Sequence, residues 1–227
     1  MSEQQTALIV GAGSGLSAAL ARRCAADDMR IALAARRTDK LDGLVRETGA
    51  RTYACDAGAL ADVEALFAGV QADLGVPDLV VYNPSYRKRA PFVELDPAEV
   101  EKAIRITCYG GFLVGQAAAR AMLKRGTGSI LFTGASASVK GYAQSASFAM
   151  GKFGLRGLVQ SMARELAPQN IHVAHFVIDG GIRSGPEDGA DAQLDPAAIA
   201  DTYLHVHRQH RSAWTWEVEL RPWCETF

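Results

Sequence analysis

The sequence predicts a single α/β domain with a parallel, doubly wound sheet. Short apolar runs alternate with longer helical patterns along the whole chain. The first apolar run leads straight into a glycine-rich turn, Gly11-Ala12-Gly13-Ser14-Gly15. The segments between apolar runs are long enough to hold the crossover helices that parallel strands require. Of the 227 residues, 48% are hydrophobic, enough for one large core over residues 1–227.

The elements follow in order. Thr6–Gly11 is a buried apolar strand and Ser14–Asp27 an Ala-rich helix. Arg30–Ala34 is the second strand, and Thr38–Glu47 is helical. Thr52–Cys55 is short and extended, and Leu60–Leu74 is helical. Asp78–Tyr82 is a fully apolar strand behind Pro77. Asp96-Pro97-Ala98-Glu99 starts a helix: Asp caps it, Pro takes the first turn and Glu the third position. That helix should run to about Lys124. Ser129–Thr133 is a strand, Ala146–Leu166 a long helix and Ile171–Ile178 a strand. Asp195-Pro196 caps a helix ending near His207, and Thr215–Leu220 is the last strand. In such a sheet the ligand site lies outside the strands' carboxyl ends, where strand order reverses.

Composition narrows the function. A net charge of -1 gives no electrostatic case for nucleic acid or an anionic membrane. Cys24, Cys55, Cys108 and Cys224 are widely spaced, as expected of free thiols in a reducing compartment. No apolar run approaches 18 residues and no signal pattern opens the chain, so a soluble cytoplasmic protein is expected. His205 and His207 fall on different helix faces, and His172 and His175 on opposite faces of a strand, so no metal site is expected.

The glycine-rich turn has a chemistry. Gly11, Gly13, Ser14, Gly15 and Leu16 put backbone N–H groups and a helix N-terminus where a pyrophosphate can sit. The second strand runs into Arg36 and Arg37 and no acid ends it, which favours the 2′-phosphate of NADP over NAD. Phe148 and Lys152 are four apart, one above the other on a helix face.

Several motifs in order carry a resemblance. They are Gly11-x-x-x-Gly15-x-Ser17, Tyr82-Asn83-Pro84-Ser85, Phe148-x-x-x-Lys152 and Asp179-Gly180. Over residues 6–184 the chain resembles the short-chain dehydrogenase/reductase family. The resemblance implies a Rossmann-type fold, an NADP cofactor and a homodimer or homotetramer. It implies that Lys152 holds the cofactor ribose, that Asp56 and Asn83 lie along the cofactor, and that Gly180, Ile182 and Ser184 lie near the nicotinamide. The family's catalytic Tyr position is filled by Phe148. The family Ser falls on Ala135, and Ser136, one residue on, is taken as its replacement. Thr107 stands where the family has an Asn that supports the Lys through a water. Asp179 replaces a Pro, and either caps the next turn or meets substrate. Tyr142, Tyr109 or water is left to supply the missing proton.

Two functions are therefore open. One is an NADP-dependent oxidoreductase acting on a small carbonyl, enone or imine. The other is an inactive NADP-binding protein, a sensor or assembly partner. Arg183–Leu194, polar and Gly-rich, should form a mobile cover for the pocket. The aromatics of the tail, Trp223 and Phe227, and the apolar sides of the helices at 97–124 and 146–166 are expected at subunit contacts.

Overall fold

Five buried residues, Thr6–Val10, form the first strand, β1, of a computed structural model that describes residues 4–185 and 189–226. The other strands are β2 (Arg30–Ala35), β3 (Arg51–Ala54), β4 (Leu79–Tyr82), β5 (Gly128–Thr133), β6 (Ile171–Ile178) and β7 (Glu217–Leu220). They form one sheet in the order β3-β2-β1-β4-β5-β6-β7, with every pairing parallel. The crossovers carry α1 (Leu16–Ala26), α2 (Asp42–Thr48), α3 (Leu60–Leu74), α4 (Pro97–Ile104), α5 (Gly110–Arg125), α6 (Ala146–Leu166) and α7 (Pro196–His207).

Side chains alternate across each strand, so one strand feeds two apolar layers. Leu8 and Val10 pack with Val63 and Leu66 of α3, Val114 and Ala118 of α5, and Leu155 of α6. Ala7 and Ile9 pack with Leu20 and Ala21 of α1 and with Ile199 and Tyr203 of α7. Helices thus cover both faces, which is why the strands read as unbroken apolar runs. Strand order reverses between β1 and β4, and a crevice opens at their carboxyl ends.

Several boundaries move. β1 stops at Val10 because Gly11 turns to φ +82°. The Thr38–Glu47 segment divides into a 3-10 turn, Asp39–Leu41, and α2, which ends on left-handed Gly49. The last strand begins at Glu217, two residues later than expected. The helix starts at Asp96 and Asp195 form as expected: each carboxylate accepts from the backbone N–H two residues on.

The largest departure lies in the helix expected over 97–124. Arg105–Tyr109 winds as a π-helix between α4 and α5. The cause is Tyr82, fully buried at the end of β4. Its hydroxyl donates to the Ile106 carbonyl, so a side chain enters the helical ladder. A Cβ at Gly110 would lie 2.5 Å from that hydroxyl, so only glycine fits there.

The ends of the expected pocket cover are tied together: Arg183 N donates to Leu194 O and Leu194 N to Gly181 O. The expectation of mobility there falls partly on residues 186–188, outside the described residues, as does Phe227. Trp223 is largely exposed, with its indole N–H donating to Ala190 O at 3.2 Å. Among the described residues no helix is long and apolar enough to cross a membrane. All four cysteines are free.

Candidate active site

The nucleotide end is built on a clamped turn. The Gly11 and Ala12 N–H groups both donate to Ala34 O at 2.9 Å. Ser17 Oγ donates to Gly11 O at 3.0 Å, and Asn83 Nδ2 donates to Ser17 Oγ at 2.7 Å. Ser17, where the motif wants a third glycine, thus locks the turn from inside. Asn83 lines the cleft, but its amide is a tie within the protein. Gly11 could not be another residue: besides its φ, a Cβ would lie 2.8 Å from Pro84.

A cleft of about 710 Å³ opens above this turn. It is lined by Gly11 and Ala12 after β1, Arg36 and Arg37 after β2, Asp56 after β3, and Asn83 to Tyr86 after β4. Lys40 joins the two arginines on its wall. The sequence reading missed it, although it stands only four residues beyond Arg36, in the 3-10 turn that follows β2. A Cβ on Gly13 or Gly15 would meet nothing within 4 Å, so the space over these glycines is open. A side chain there would fill the place where backbone N–H groups meet a pyrophosphate, so these residues fit a dinucleotide. Ser14 is exposed at the turn. Leu16 has its side chain buried in the core, which leaves only its backbone for a ligand. Asp56 Oδ1 accepts from Gly58 N at 2.9 Å and so shapes its own loop.

The catalytic end gathers around α6. Lys152 is 2% exposed, and its ammonium donates to Thr133 O at 2.6 Å. Burial pushes its pKa down to about 7. The ammonium lies 5.8 Å from the centre of the Phe148 ring. A second cation, unnoticed in the sequence, reaches the same ring: the Arg87 guanidinium carbon stands 5.4 Å from its centre.

The other candidates fare unevenly. Thr107 is fully buried in the π-helical stretch, and its hydroxyl accepts from Tyr86 N at 3.1 Å. Ser136 is half-buried at the start of a 3-10 turn, and its carbonyl takes Val139 N and Lys140 N. Ser138 is buried and its Oγ accepts from Ala135 N. Tyr142 is 46% exposed, on the loop before α6. Tyr109 stacks on Phe112 at the surface. Asp179 neither caps a turn nor stands free: it is 3% exposed and its carboxylate pairs with Lys140 Nζ at 3.4 Å. Gly180 has φ +143° with Pro222 packed against it, so it too must be glycine. Ile182 bridges to Leu194 and packs on the core, while Ser184 is exposed.

His175, on β6, lies behind Lys152. Its Nδ1 meets Glu217 Oε2 at 3.0 Å, and Arg156 grips that carboxylate with two bonds of 2.6 and 2.8 Å. Burial lowers the imidazole pKa to about 4 against the opposing pull of Glu217. Burial works against the charge on Glu217 as well, but Arg156 outweighs it and holds the carboxyl below its usual range. His172 faces the other way, stacked on Trp214.

The fold and motifs agree with known proteins. The family described as short chain dehydrogenase matches residues 5–186. A short-chain dehydrogenase structure from Rhodopseudomonas palustris is 36% identical, with TM-score 0.86, over 97% of this chain and all of that one. A metagenomic short-chain oxidoreductase in complex with NADP is 29% identical, with TM-score 0.84, over 96% of this chain and 97% of that one. The D-threitol dehydrogenase of Mycolicibacterium smegmatis is 29% identical over 174 residues, 74% of this chain and 67% of that protein. With its parallel sheet, glycine turn and Lys152 one turn beyond Phe148, the chain belongs to the short-chain dehydrogenase family.

Proposed function

We propose that the protein is an NADP-dependent oxidoreductase acting on a small carbonyl, enone or imine substrate, with an altered catalytic set. The observation that carries this reading is the cleft over the glycine turn, with Arg36, Arg37 and Lys40 on its wall. Three cations suit the 2′-phosphate of NADP better than the free hydroxyl of NAD. The NADP complex of the metagenomic relative points the same way.

NADPH, when bound, supplies the hydride. The chain's own residues do the rest. Gly11, Gly13 and Gly15 leave room for a pyrophosphate, and the first turn of α1 favours its charge. Lys152, buried with its ammonium on Thr133 O, is the residue we assign to the ribose. Ser136 is the nearest hydroxyl in sequence to the position of the family Ser, and we assign it to the substrate oxygen. The Phe148 ring can shape the pocket but holds no proton. An electron-poor C=C or C=N bond tolerates that loss better than a ketone, because a placed general acid adds about 10²–10⁴ in rate. Tyr142 or water is left as the donor.

NADPH oxidation with a panel of ketones, aldehydes, enones and imines, beside a binding titration of NADPH and NADH, tests this. Turnover on at least one class supports it. Tight NADPH binding with no turnover favours the second reading, a nucleotide-binding sensor or assembly partner. One observation leans that way: the Thr107 hydroxyl already accepts a backbone bond, and Ala135 and Phe148 offer none. A homodimer or homotetramer in a reducing, cytoplasmic compartment belongs to the same proposal.

A further inference from the structure

The loop between β4 and α4 carries three consecutive cations, Arg87-Lys88-Arg89, all exposed. It is held in place along its length. Tyr86 N donates to Thr107 Oγ1 at 3.1 Å, Ser147 Oγ donates to Lys88 O at 3.0 Å, and Ala90 N donates to Gln144 O at 3.3 Å. The Tyr86 hydroxyl meets Glu99, and Lys102 lies 4.3 Å from its ring centre. The loop is thereby pinned across the start of α6, with Arg87 over Phe148.

Arg87 is not neutralised there. Among the described residues no carboxylate pairs with Arg87, Lys88 or Arg89, whereas Arg156 and Arg183 each hold one and Arg23 holds two. Its one hydrogen bond is long, 3.5 Å to Ser145 Oγ. Two acids of this end already have partners: Asp179 pairs with Lys140, and Glu99 meets the Tyr86 hydroxyl. Lys152 adds a further cation on the same ring. A guanidinium packed through its face on an aromatic ring keeps its N–H edge for a planar anion. Phe148 supplies that ring at the position where the family has its acid.

We propose that this site takes substrates bearing an anionic group, carboxylate or phosphoryl, a few bonds from the reacting double bond, and that Arg87 holds that group. This rests on the oxidoreductase reading and names its substrate class. The anion bound by Arg87 orients the reacting carbon, and Arg87 sets specificity.

The test is calorimetric titration of the protein, saturated with NADP and held at constant ionic strength. The ligands are short 2-, 3- and 4-oxo acids, their methyl esters, and phosphorylated and unphosphorylated hydroxyketones. At least one acid or phosphate should bind about tenfold or more tighter than its neutral counterpart, the scale of a charge-assisted pair. Which of the two wins identifies the anion. Arg87→Met should erase that advantage. Arg87→Lys, which keeps stem and charge, should shrink it, and serves if the Met variant does not fold. No preference for any anionic ligand, or a preference that survives Arg87→Met, overturns the proposal. Anion-selective binding without NADPH oxidation would leave Arg87 as the holder of the anion and defeat the oxidoreductase reading. Oxidation with no acid preference would do the reverse.

Discussion

The Lys152 ammonium lies 5.8 Å from the centre of the Phe148 ring, one helical turn away on α6. A Tyr at position 148 would share this helix face with Lys152, but the Phe148 ring carries no hydroxyl. Arg87 on the same ring makes it the meeting point of two cations.

Phe148→Tyr is therefore expected to create an acid in place. The new phenol would sit near Lys152 and Arg87, and both cations would lower its pKa. Ketone or aldehyde reduction should rise by at least about tenfold, within the range of a placed general acid. Native turnover of an activated C=C or C=N bond should change little. Steady-state kinetics of both proteins checks this. No gain in carbonyl reduction, with NADPH binding intact, would count against Ser136 and Thr107 in their family roles.

Cofactor choice should follow the cleft wall. NADPH is expected to bind at least about tenfold tighter than NADH, since one charge-assisted pair is worth about 1.5–3 kcal/mol. Arg36→Ala with Arg37→Ala should remove most of the difference, and Lys40→Ala part of it. Fluorescence titration measures both. Equal affinities in the unaltered protein would refute the assignment.

Lys152 should make cofactor affinity depend on pH. Its pKa stands near 7, lowered by burial, so it is charged below that value and neutral above it. An anionic ligand favours the charged form. Affinity for NADPH is thus expected to fall as pH rises from 6 to 9, and the fall should vanish in Lys152→Met. Titrations at fixed ionic strength decide it: an unchanged slope in the variant removes Lys152 from the cofactor site.

Stability should weaken in mild acid. Burial holds His175 and His207 neutral, each down to about 4. The unfolded chain takes up these protons near the ordinary value of about 6.5. Their stabilising effect is whole above that pH and is lost progressively as pH falls towards 4. The loss is of the order of 3 kcal/mol for each imidazole. Urea midpoints at several pH values measure it, and His175→Gln should flatten the curve. A variant as acid-sensitive as the parent would point to other groups.

Assembly should use one exposed patch. Tyr109 and Phe112, with Met150 and Phe153 on α6, are all at least 40% exposed. On the two helices expected at subunit contacts, Ala118, Ala119, Leu155 and Val159 are buried in the chain's own core, whereas Phe153 is exposed. A dimer or larger species is expected by light scattering at micromolar concentration, and Phe153→Glu should weaken it. A stable monomer would refute this.

The alternation of apolar runs and helical patterns was enough to predict a parallel sheet covered on both faces, because buried parallel strands must be apolar on both faces. Gly11, Arg36, Arg37 and Lys152 could be singled out from sequence because what marks them, backbone freedom, charge and helical spacing, is local. Arg87 over Phe148, the Lys140–Asp179 pair and the His175–Glu217–Arg156 network were not legible. Each joins residues at least 39 positions apart, brought together only when separate strand ends converge. The π-helical stretch was hidden likewise, since Tyr82 lies 24 residues from the Ile106 carbonyl that it occupies. Local sequence determined which backbone could bind a dinucleotide. Tertiary packing decided which charges share the Phe148 ring, because only the closed sheet brings the β4 loop across the start of α6.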